Sequence, residues 1–447
     1  MTTYTKRIAM FLTNSSLKDN NGVYHFHRGF LKLAKAQNWK VDILFDKLSG
    51  NKGDKVYQDL IDIGATCIFP KRPVIDNNEK YFSFTVGLSA TELANLQTCV
   101  LEAMQTNLYD FAIGCPLYTN QITKLLTLDI PTIWYTHAPD SVTGIYNDGY
   151  SDPMVDNLIE MQSSLFTIAT QTDENVKILN ARGKDAICLP LPFPDLEVFD
   201  TLSLPKNGIM FIGSTEGRKN VDAFIKLIDA TKIHAKVLTS RGSADAIREK
   251  LLTTGATFEI QSNVSGNVKR DLFASSEIFF MPSLNESYGY AFAEAISQTH
   301  AVAFDYAWTK NFSTDYCHIV DKTSYIEYIE KLYYAKTPIK KDATAYVRSL
   351  HTDAETRWSN FINASKPVST EKFTKSFIDK HRNFYIHDLA VAINRPHLSL
   401  DELRPLIARA KSGQAHITYM DDYTWFSLDN LQPTEILPKN TFSNLFG

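Results

Sequence analysis

The sequence predicts an α/β protein with two domains, each built around a parallel β-sheet that carries helices on its faces. Short apolar runs alternate with amphipathic stretches, which is typical of parallel strands joined by crossover helices. Four prolines between residues 189 and 206 interrupt this alternation, and it starts again after them. The chain of 447 residues is also too long for one ordinary hydrophobic core.

The first domain is predicted at residues 1–190. Its candidate strands are RIAMFL, VDILF, CIFP, FAIGC, TIWYTH and FTIAT, and helical spacing over Gly22–Trp39 follows the first of them. The second domain is predicted at residues 206–365, with candidate strands GIMFIGS, AKVLTS, TFEIQ, EIFFMPS and AVAFD. Because proline disfavours regular helices and central strands, we expect an extended connector between the two domains.

The end of the chain follows a different pattern. The run Thr352-Asp353-Ala354-Glu355 has the form of a capping box, which predicts a helix that begins there and carries Trp358. Residues 366–447 are predicted to form a helical or winged-helix-like extension, with helices around 370–382, 384–394 and 399–411 before the hairpin HITYMDDYTWFSL. Such an extension could bind nucleic acid or an acceptor, or could simply support the other domains.

Composition limits the function classes. The five cysteines are scattered and form no Cys-x-x-Cys pair, so neither a disulfide framework nor a structural zinc site is expected. We expect a cytoplasmic protein, because the first apolar run is too short for a signal peptide and no run is long enough to span a membrane. A formal net charge of -4 argues against a globally basic nucleic-acid binder but permits a local basic groove.

The most informative segment is PSLNESYGYAFAEA, which follows the apolar strand EIFFM. A strand there leads into a loop and then a helix. In open α/β sheets, ligands bind at the carboxyl ends of the strands, and the N–H groups that open the next helix attract anions. A diphosphate fits such a place. Glu286 lies in the loop, and Glu294 is expected about two turns inside the helix and able to face the same cleft.

This segment resembles the Glu-x7-Glu signature of the large retaining glycosyltransferase family four, whose members have the GT-B fold of two Rossmann-like domains that face a cleft. The resemblance covers about residues 6–365. It implies that the first domain binds the acceptor, that the second binds a nucleotide sugar, that Glu286 lies beside the donor sugar and that Glu294 binds the ribose. It also implies that the backbone of the intervening residues contacts the phosphate and sugar of the donor, at Ser287, Tyr288, Gly289 and Tyr290.

A second similarity follows the strand GIMFIG. The run Glu216-Gly217-Arg218-Lys219-Asn220 resembles the family's basic loop Glu-Pro-Arg-Lys-Asn, with glycine in place of proline. Departure of a nucleoside diphosphate develops negative charge on the β-phosphate, and fixed cations stabilise that charge. Arg218 and Lys219 are therefore predicted to bind the donor and to act in catalysis. Many family members carry a further arginine after the strand glycine, where this chain has Ser214.

Candidates in the first domain are fewer. Asn21 and Gly22 open a helix after the first strand and resemble the family's Gly-Gly-Val loop, which lets the backbone approach the donor phosphates. His137 ends the strand TIWYTH, where the resemblance implies a catalytic position between donor sugar and acceptor. Asp140 is a candidate for orienting the acceptor.

No strand in the sequence ends in Asp-x-Asp, and no His, Cys, Asp or Glu cluster has metal-ligand spacing, so we expect no metal cofactor. The resemblance implies retention of the anomeric configuration by front-face displacement. It leaves the acceptor open. Our favoured acceptor is a hydroxymethylated pyrimidine in phage DNA, because WYTHAPDSV resembles a segment of phage DNA α-glucosyltransferases. The alternative acceptor is a saccharide or lipid-linked sugar of a surface polymer. Two alternative functions are a nucleotide-sugar epimerase and a non-catalytic DNA-binding scaffold.

Overall fold

The computed structural model describes residues 4–12, 22–45, 55–68, 107–114, 131–135, 166–181, 183, 185–196, 204–264, 266–286, 288–365, 374, 375, 378, 383–385, 416–420 and 423–427. Within them, two parallel sheets of seven and six strands confirm the predicted α/β architecture. Among these residues, no helix combines the length and the apolar character needed to cross a membrane.

The first sheet has the strand order β3-β2-β1-β4-β5-β6-β7. Its strands are β1 Lys6–Leu12, β2 Trp39–Phe45, β3 Thr66–Ile68, β4 Phe111–Gly114, β5 Thr132–Tyr135, β6 Phe166–Thr170 and β7 Ala186–Cys188, and its described helices are α1 Gly22–Ala36, α2 Lys55–Ile63 and α3 Asp173–Ala181. Every strand pair is parallel, with Ile8 opposite both Val41 and Phe111. Strand β1 is therefore an interior strand, with β2 on one side and β4 on the other.

The second sheet has the order β10-β9-β8-β11-β12-β13. Its strands are β8 Ile209–Ile212, β9 Ala235–Thr239, β10 Phe258–Ser262, β11 Ile278–Met281, β12 His300–Phe304 and β13 His318–Val320. The helices are α4 Val221–Thr231, α5 Arg241–Thr254, α6 Asn267–Ala274, α7 Tyr290–Ile296, α8 Tyr325–Ala335 and α9 Ala343–Ala364. The central strand β11 is buried along its whole length, which explains why it is continuously apolar.

The prediction that a helix begins at Thr352 is wrong. Helix α9 begins at Ala343, and Thr352 lies inside it, where its hydroxyl donates to the Arg348 carbonyl at 3.2 Å. Glu355 pairs with His351 one turn earlier, at 3.2 Å, so it caps no helix end. The chain is already helical before the capping-box residues, so those residues lie inside the helix and not at its start.

Helix α9 contacts both domains, since it packs against α7 of the second and against residues of the first. Trp358 is fully buried and packs against Phe26, Phe30 and Tyr135 of the first domain, with ring centroids 5.0–5.9 Å apart. Its Nε1 donates to the carbonyl of Pro190 at 2.9 Å. The last helix of the second domain thus returns to the first and anchors the connector there.

The predicted hairpin in the extension is confirmed by β15 His416–Met420 and β16 Tyr423–Ser427, which pair antiparallel. A third strand, β14 Asn383–Tyr385, pairs antiparallel with β16 and occupies the first residues of the helix predicted at 384–394, so that helix cannot begin at 384. Residues 374, 375 and 378 are helical, as expected for a helix around 370–382. The helix predicted at 399–411 lies outside the described residues.

Candidate active site

The candidate site lies at the carboxyl ends of β8 and β11, which are neighbours in the second sheet. From this pair the chain continues to β9 on one side and to β12 on the other. A sheet opens a crevice where the strand order reverses in this way, and ligands bind there in α/β proteins. The loops that leave these two strands carry the two sequence motifs singled out above.

The loop after β8 is shaped by close packing at Gly213. A Cβ at this position would lie 2.7 Å from the Phe211 ring and 3.3 Å from the Cβ of Lys219. The chain then makes a 3₁₀ turn over Gly217–Lys219, and Asn220 adopts the left-handed conformation, with φ of 50°, before α4 begins. Asparagine tolerates that conformation better than most residues, which gives the motif's last position a structural reason.

Backbone hydrogen bonds join this loop to the loop after β11. The Leu284 N–H donates to the Arg218 carbonyl at 2.8 Å, and the Asn220 side-chain amide donates to the Pro282 carbonyl at 3.2 Å. The second loop is also held by Trp308, whose Nε1 donates to the Ser283 carbonyl at 3.1 Å. These hydrogen bonds hold the two loops together as a unit. They do not use the charged ends of the Arg218, Lys219 and Glu286 side chains.

Those side chains converge on one carboxylate. Lys219 Nζ lies 2.5 Å from Glu286 Oε1, and an Arg218 guanidinium nitrogen lies 3.6 Å from Glu286 Oε2. Arg218 also contacts the exposed Glu216 at 2.9 Å. The side chain of Glu286 is only 10% exposed, whereas that of Arg218 is 38% exposed. The three residues predicted at the second-domain reaction centre thus form one cluster, in which Arg218 is the more exposed of the two cations.

Gly289 separates the cluster from the next helix. Its φ is +89°, and a Cβ there would lie 3.1 Å from the Trp308 ring, so both the conformation and the space favour glycine. Because α7 begins only at Tyr290, Glu294 lies about one turn inside it, and not the two turns expected from the sequence. Glu294 forms an ion pair with Lys269 of α6, a residue the sequence analysis did not select.

The donor contacts predicted at residues 287–290 are backbone contacts, and they stay a prediction. The Tyr288 side chain is buried between Phe193 and Phe312, and burial raises its pKa. The Tyr290 hydroxyl donates to the Pro192 carbonyl at 3.0 Å, so this side chain binds the connector between the domains. Any donor contact from these two positions must therefore come from their backbone. Ser287 lies outside the described residues.

In the first domain, Gly22 opens α1 after β1, as predicted. The other candidates there, Asn21, His137 and Asp140, lie outside the described residues. The structure adds His25, one turn into α1, whose ring edge faces Tyr290 with centroids 6.4 Å apart. No local sequence motif marks His25 or Lys269, because what distinguishes them is their contact with elements that are distant along the chain.

No protein-family model matches the sequence, and no curated protein matches it either. Solved structures do match. Sucrose-phosphate synthase from Thermosynechococcus elongatus gives a TM-score of 0.63 at 13% identity, covering 80% of this chain and 98% of its own. HepE from Anabaena, in complex with UDP and glucose, gives 0.57 at 12% identity, covering 79% of this chain and 100% of its own.

AviGT4, a glycosyltransferase involved in avilamycin A biosynthesis, gives a TM-score of 0.53 at 13% identity, covering 80% of this chain and 97% of its own. The strand orders of both sheets and these matches establish that the chain has the GT-B fold.

Proposed function

We propose that this chain is a retaining, metal-independent glycosyltransferase that transfers a sugar from a nucleotide diphosphate donor, with a UDP-sugar as the first choice. One observation carries the proposal: Arg218, Lys219 and Glu286 meet at the carboxyl ends of two neighbouring strands in a GT-B fold. Two cations beside a carboxylate suit a substrate that carries a diphosphate next to a sugar rich in hydroxyl groups.

The chemistry requires stabilisation of the leaving group. When the bond from the anomeric carbon to the β-phosphate oxygen breaks, negative charge grows on that phosphate. The Lys219 ammonium and the Arg218 guanidinium belong to a loop that its hydrogen bonds to the loop after β11 hold in place, and they are suited to stabilise that charge, because preorganised charges need no reorganisation during the reaction. In this proposal they supply what a metal ion supplies elsewhere.

The ion pairs of the site suggest how the donor binds. Glu286 pairs with both cations. A diphosphate carries more negative charge than one carboxylate and competes for the same cations. Its binding would release one or both Glu286 oxygens, which could then accept hydrogen bonds from hydroxyls of the donor sugar. Retention by front-face displacement, in which the departing phosphate helps to deprotonate the acceptor, follows from the family resemblance.

For the acceptor we propose a hydroxymethylated pyrimidine in DNA, acted on by a phage protein in the host cytoplasm. The segment WYTHAPDSV supports this choice, with His137 bordering the donor sugar and Asp140 orienting the acceptor. An enzyme of this kind has to expose its target base, and a local basic groove would hold the DNA backbone. The extension after residue 366 would supply additional DNA contacts.

A donor screen tests the function. The protein is incubated with radiolabelled UDP-glucose, UDP-galactose and UDP-N-acetylglucosamine in the presence of a chelator, with and without hydroxymethylcytosine-containing DNA. Label in DNA supports the proposal in full. Hydrolysis of a donor without DNA labelling supports a saccharide acceptor, free epimerised sugar supports an epimerase, and no reaction with any donor leaves the scaffold alternative. The anomeric configuration of the product, read by proton NMR, tests retention.

A further inference from the structure

One face of α1 is directed at the connector between the domains. Residues 25, 28, 29 and 32 share this face, since they follow the helical spacing i, i+3, i+4 and i+7. Arg28 contacts Asp195 of the connector at 2.5 Å, and Lys32 contacts the same carboxylate at 2.8 Å. Gly29 lies so close to the connector that a Cβ there would be 2.2 Å from the Pro192 carbonyl oxygen. Helix α1 is thus held tightly against this segment.

The same connector carbonyl also reaches the second domain. The Pro192 oxygen accepts the hydrogen bond from the Tyr290 hydroxyl at 3.0 Å, and the Phe193 ring packs on Tyr290 with centroids 5.4 Å apart. Tyr290 is the first residue of α7, the helix that carries Glu294. The connector therefore fixes the start of α1 beside the start of α7, although the two helices belong to different domains.

His25 lies at this junction, and one of its ring nitrogens has no hydrogen-bond partner among the described residues. That nitrogen, Nδ1, is buried. Burial and the nearby charge of Lys269 lower the pKa of the imidazole, with a smaller opposing effect from Glu294. Arg28 and Asp195 act on it further, in opposite directions. The ring is therefore neutral at pH 7, and it lies within the electrostatic influence of the Lys269–Glu294 ion pair.

A buried polar atom without a partner costs free energy, and an unpaired atom of this kind suggests a ligand group that satisfies it. A neutral imidazole nitrogen either donates or accepts, depending on its tautomer. A hydroxyl group can do both, so it suits either tautomer, whereas a phosphate oxygen accepts only. His25 contacts Tyr290, and Glu294 lies one turn further along the same helix. Because the family resemblance implies that Glu294 binds the ribose, this position points to the hydroxyls of a sugar ring and not to the diphosphate.

We propose that His25 is a donor-binding residue supplied by the first domain, and that it exchanges a hydrogen bond with a ribose hydroxyl of the nucleotide on which Glu294 also acts. This inference rests on the proposed function. The ribose is thereby held from both domains, by a carboxylate on α7 and an imidazole on α1. Donor binding then depends on the fixed approach of the two helices, which Pro192 and Tyr290 maintain.

The test compares two nucleotides by isothermal titration calorimetry: UDP and 2′,3′-dideoxy-UDP, which lacks both ribose hydroxyls. His25→Leu should weaken UDP binding about tenfold, the effect of losing one hydrogen bond to a ligand, and should leave dideoxy-UDP binding unchanged. His25→Asn places an amide nitrogen near the position of Nδ1 and should recover most of the preference for UDP. His234→Asn, at the residue immediately before β9, is the matched control and should behave as the wild type.

The outcomes separate the two proposals. Equal weakening of both nucleotides by His25→Leu would mean a structural role for His25 and would overturn the inference. Wild-type affinity for UDP in both His25 variants would also overturn it, while the proposed function would stand. Failure of the wild-type protein to bind UDP would instead contradict the proposed function, and the inference would fall with it. Near-ultraviolet circular dichroism checks that each variant is folded, and the Asn variant provides the comparison should Leu unfold the chain.

Discussion

Lys219 Nζ and Glu286 Oε1 lie 2.5 Å apart, although 67 residues separate them along the chain. The contact joins the loops that leave two adjacent strands of the second sheet. It neutralises most of the charge at the bottom of the crevice, while Arg218 remains partly exposed at its rim. A site that pairs its own charges in this way should respond differently to the loss of a cation and to the loss of the carboxylate.

Loss of the cation should impair both binding and turnover. Lys219→Gln removes a fixed positive charge from the position where the leaving phosphate is expected, so kcat/KM for the donor should fall about a hundredfold, corresponding to about 3 kcal/mol of transition-state stabilisation. Steady-state release of nucleoside diphosphate measures this. Lys226→Gln, on the exposed face of α4, is the matched control and should retain wild-type kinetics.

Loss of the carboxylate should separate binding from turnover. Glu286→Gln removes the group that competes with a diphosphate for Lys219 and Arg218, so the variant should bind UDP about threefold to tenfold more tightly. Its turnover of a UDP-sugar should nevertheless fall by about a hundredfold or more, because the carboxylate beside the sugar is lost. Calorimetry and a turnover assay on the same preparation measure both effects. Glu216→Gln, the exposed partner of Arg218, should change neither by more than about threefold. Weaker UDP binding by Glu286→Gln would show that the diphosphate does not displace Glu286 from Lys219 and Arg218.

Gly289 should tolerate no side chain. Gly289→Ala forces a Cβ into a left-handed backbone 3.1 Å from Trp308, and should destabilise the protein by about 1–3 kcal/mol. Gly242, near the start of α5, has no atom within 4 Å of its would-be Cβ, so Gly242→Ala should be neutral or stabilising by up to about 1 kcal/mol. Urea unfolding of the two variants gives the comparison. Equal stabilities would show that the turn at Gly289 adapts.

A histidine pair far from the candidate site should make stability depend on pH. The Tyr328 hydroxyl donates to His318 Nδ1 at 2.8 Å, and His318 Nε2 lies 3.2 Å from His300 Nδ1. His300 Nε2 donates to the Thr337 carbonyl at 2.7 Å, which leaves its Nδ1 as the acceptor for His318. Burial, and then the neighbouring His300, lower the pKa of His318 from 6.5 to about 4.

Because the folded state holds His318 neutral, its contribution to stability is fully present above about pH 6.5 and is lost as the pH falls towards 4. Partial exposure reduces the effect to about 1–2 kcal/mol. His318→Gln should therefore flatten the fall in unfolding free energy between pH 6.5 and 4, measured by urea denaturation at several pH values. Tyr328→Phe should flatten it in part, since it removes a hydrogen bond to the neutral ring. Unchanged slopes in both variants would contradict this assignment.

The fold and the centre of the candidate site could be predicted because local patterns determine them. An apolar strand followed by a short loop and a helix defines where Glu286, Arg218 and Lys219 lie, and parallel neighbours bring their loops to one edge. The start of α9 could not be predicted in this way. Thr352 and Glu355 are the residue types of a capping box. Whether they lie at the start of a helix depends on whether the residues before them are helical, and here they are.

His25 and Lys269 were missed for a different reason. His25 reaches α7 only through the packing of the two domains, and Lys269 reaches Glu294 through the packing of α6 against α7 within the second domain. Hydrophobic periodicity contains no information about either contact. The same is true of Trp358, whose position in the chain suggested the second domain while its ring is buried against Phe26, Phe30 and Tyr135 of the first. Contacts between domains were the part of the structure that local sequence reasoning could not supply.

The most direct measurement is the release of UDP from UDP-sugars by the wild-type protein and by the Glu286→Ala, Lys219→Ala double variant, with chelator present and the fold of each checked by circular dichroism. If the cluster at the ends of β8 and β11 is the reaction centre, the wild type cleaves a UDP-sugar and the double variant loses at least about a hundredfold of that rate. Full turnover by the double variant would contradict the assignment of the active site, and no cleavage by the wild type would contradict the assignment of the protein as a glycosyltransferase that uses these donors.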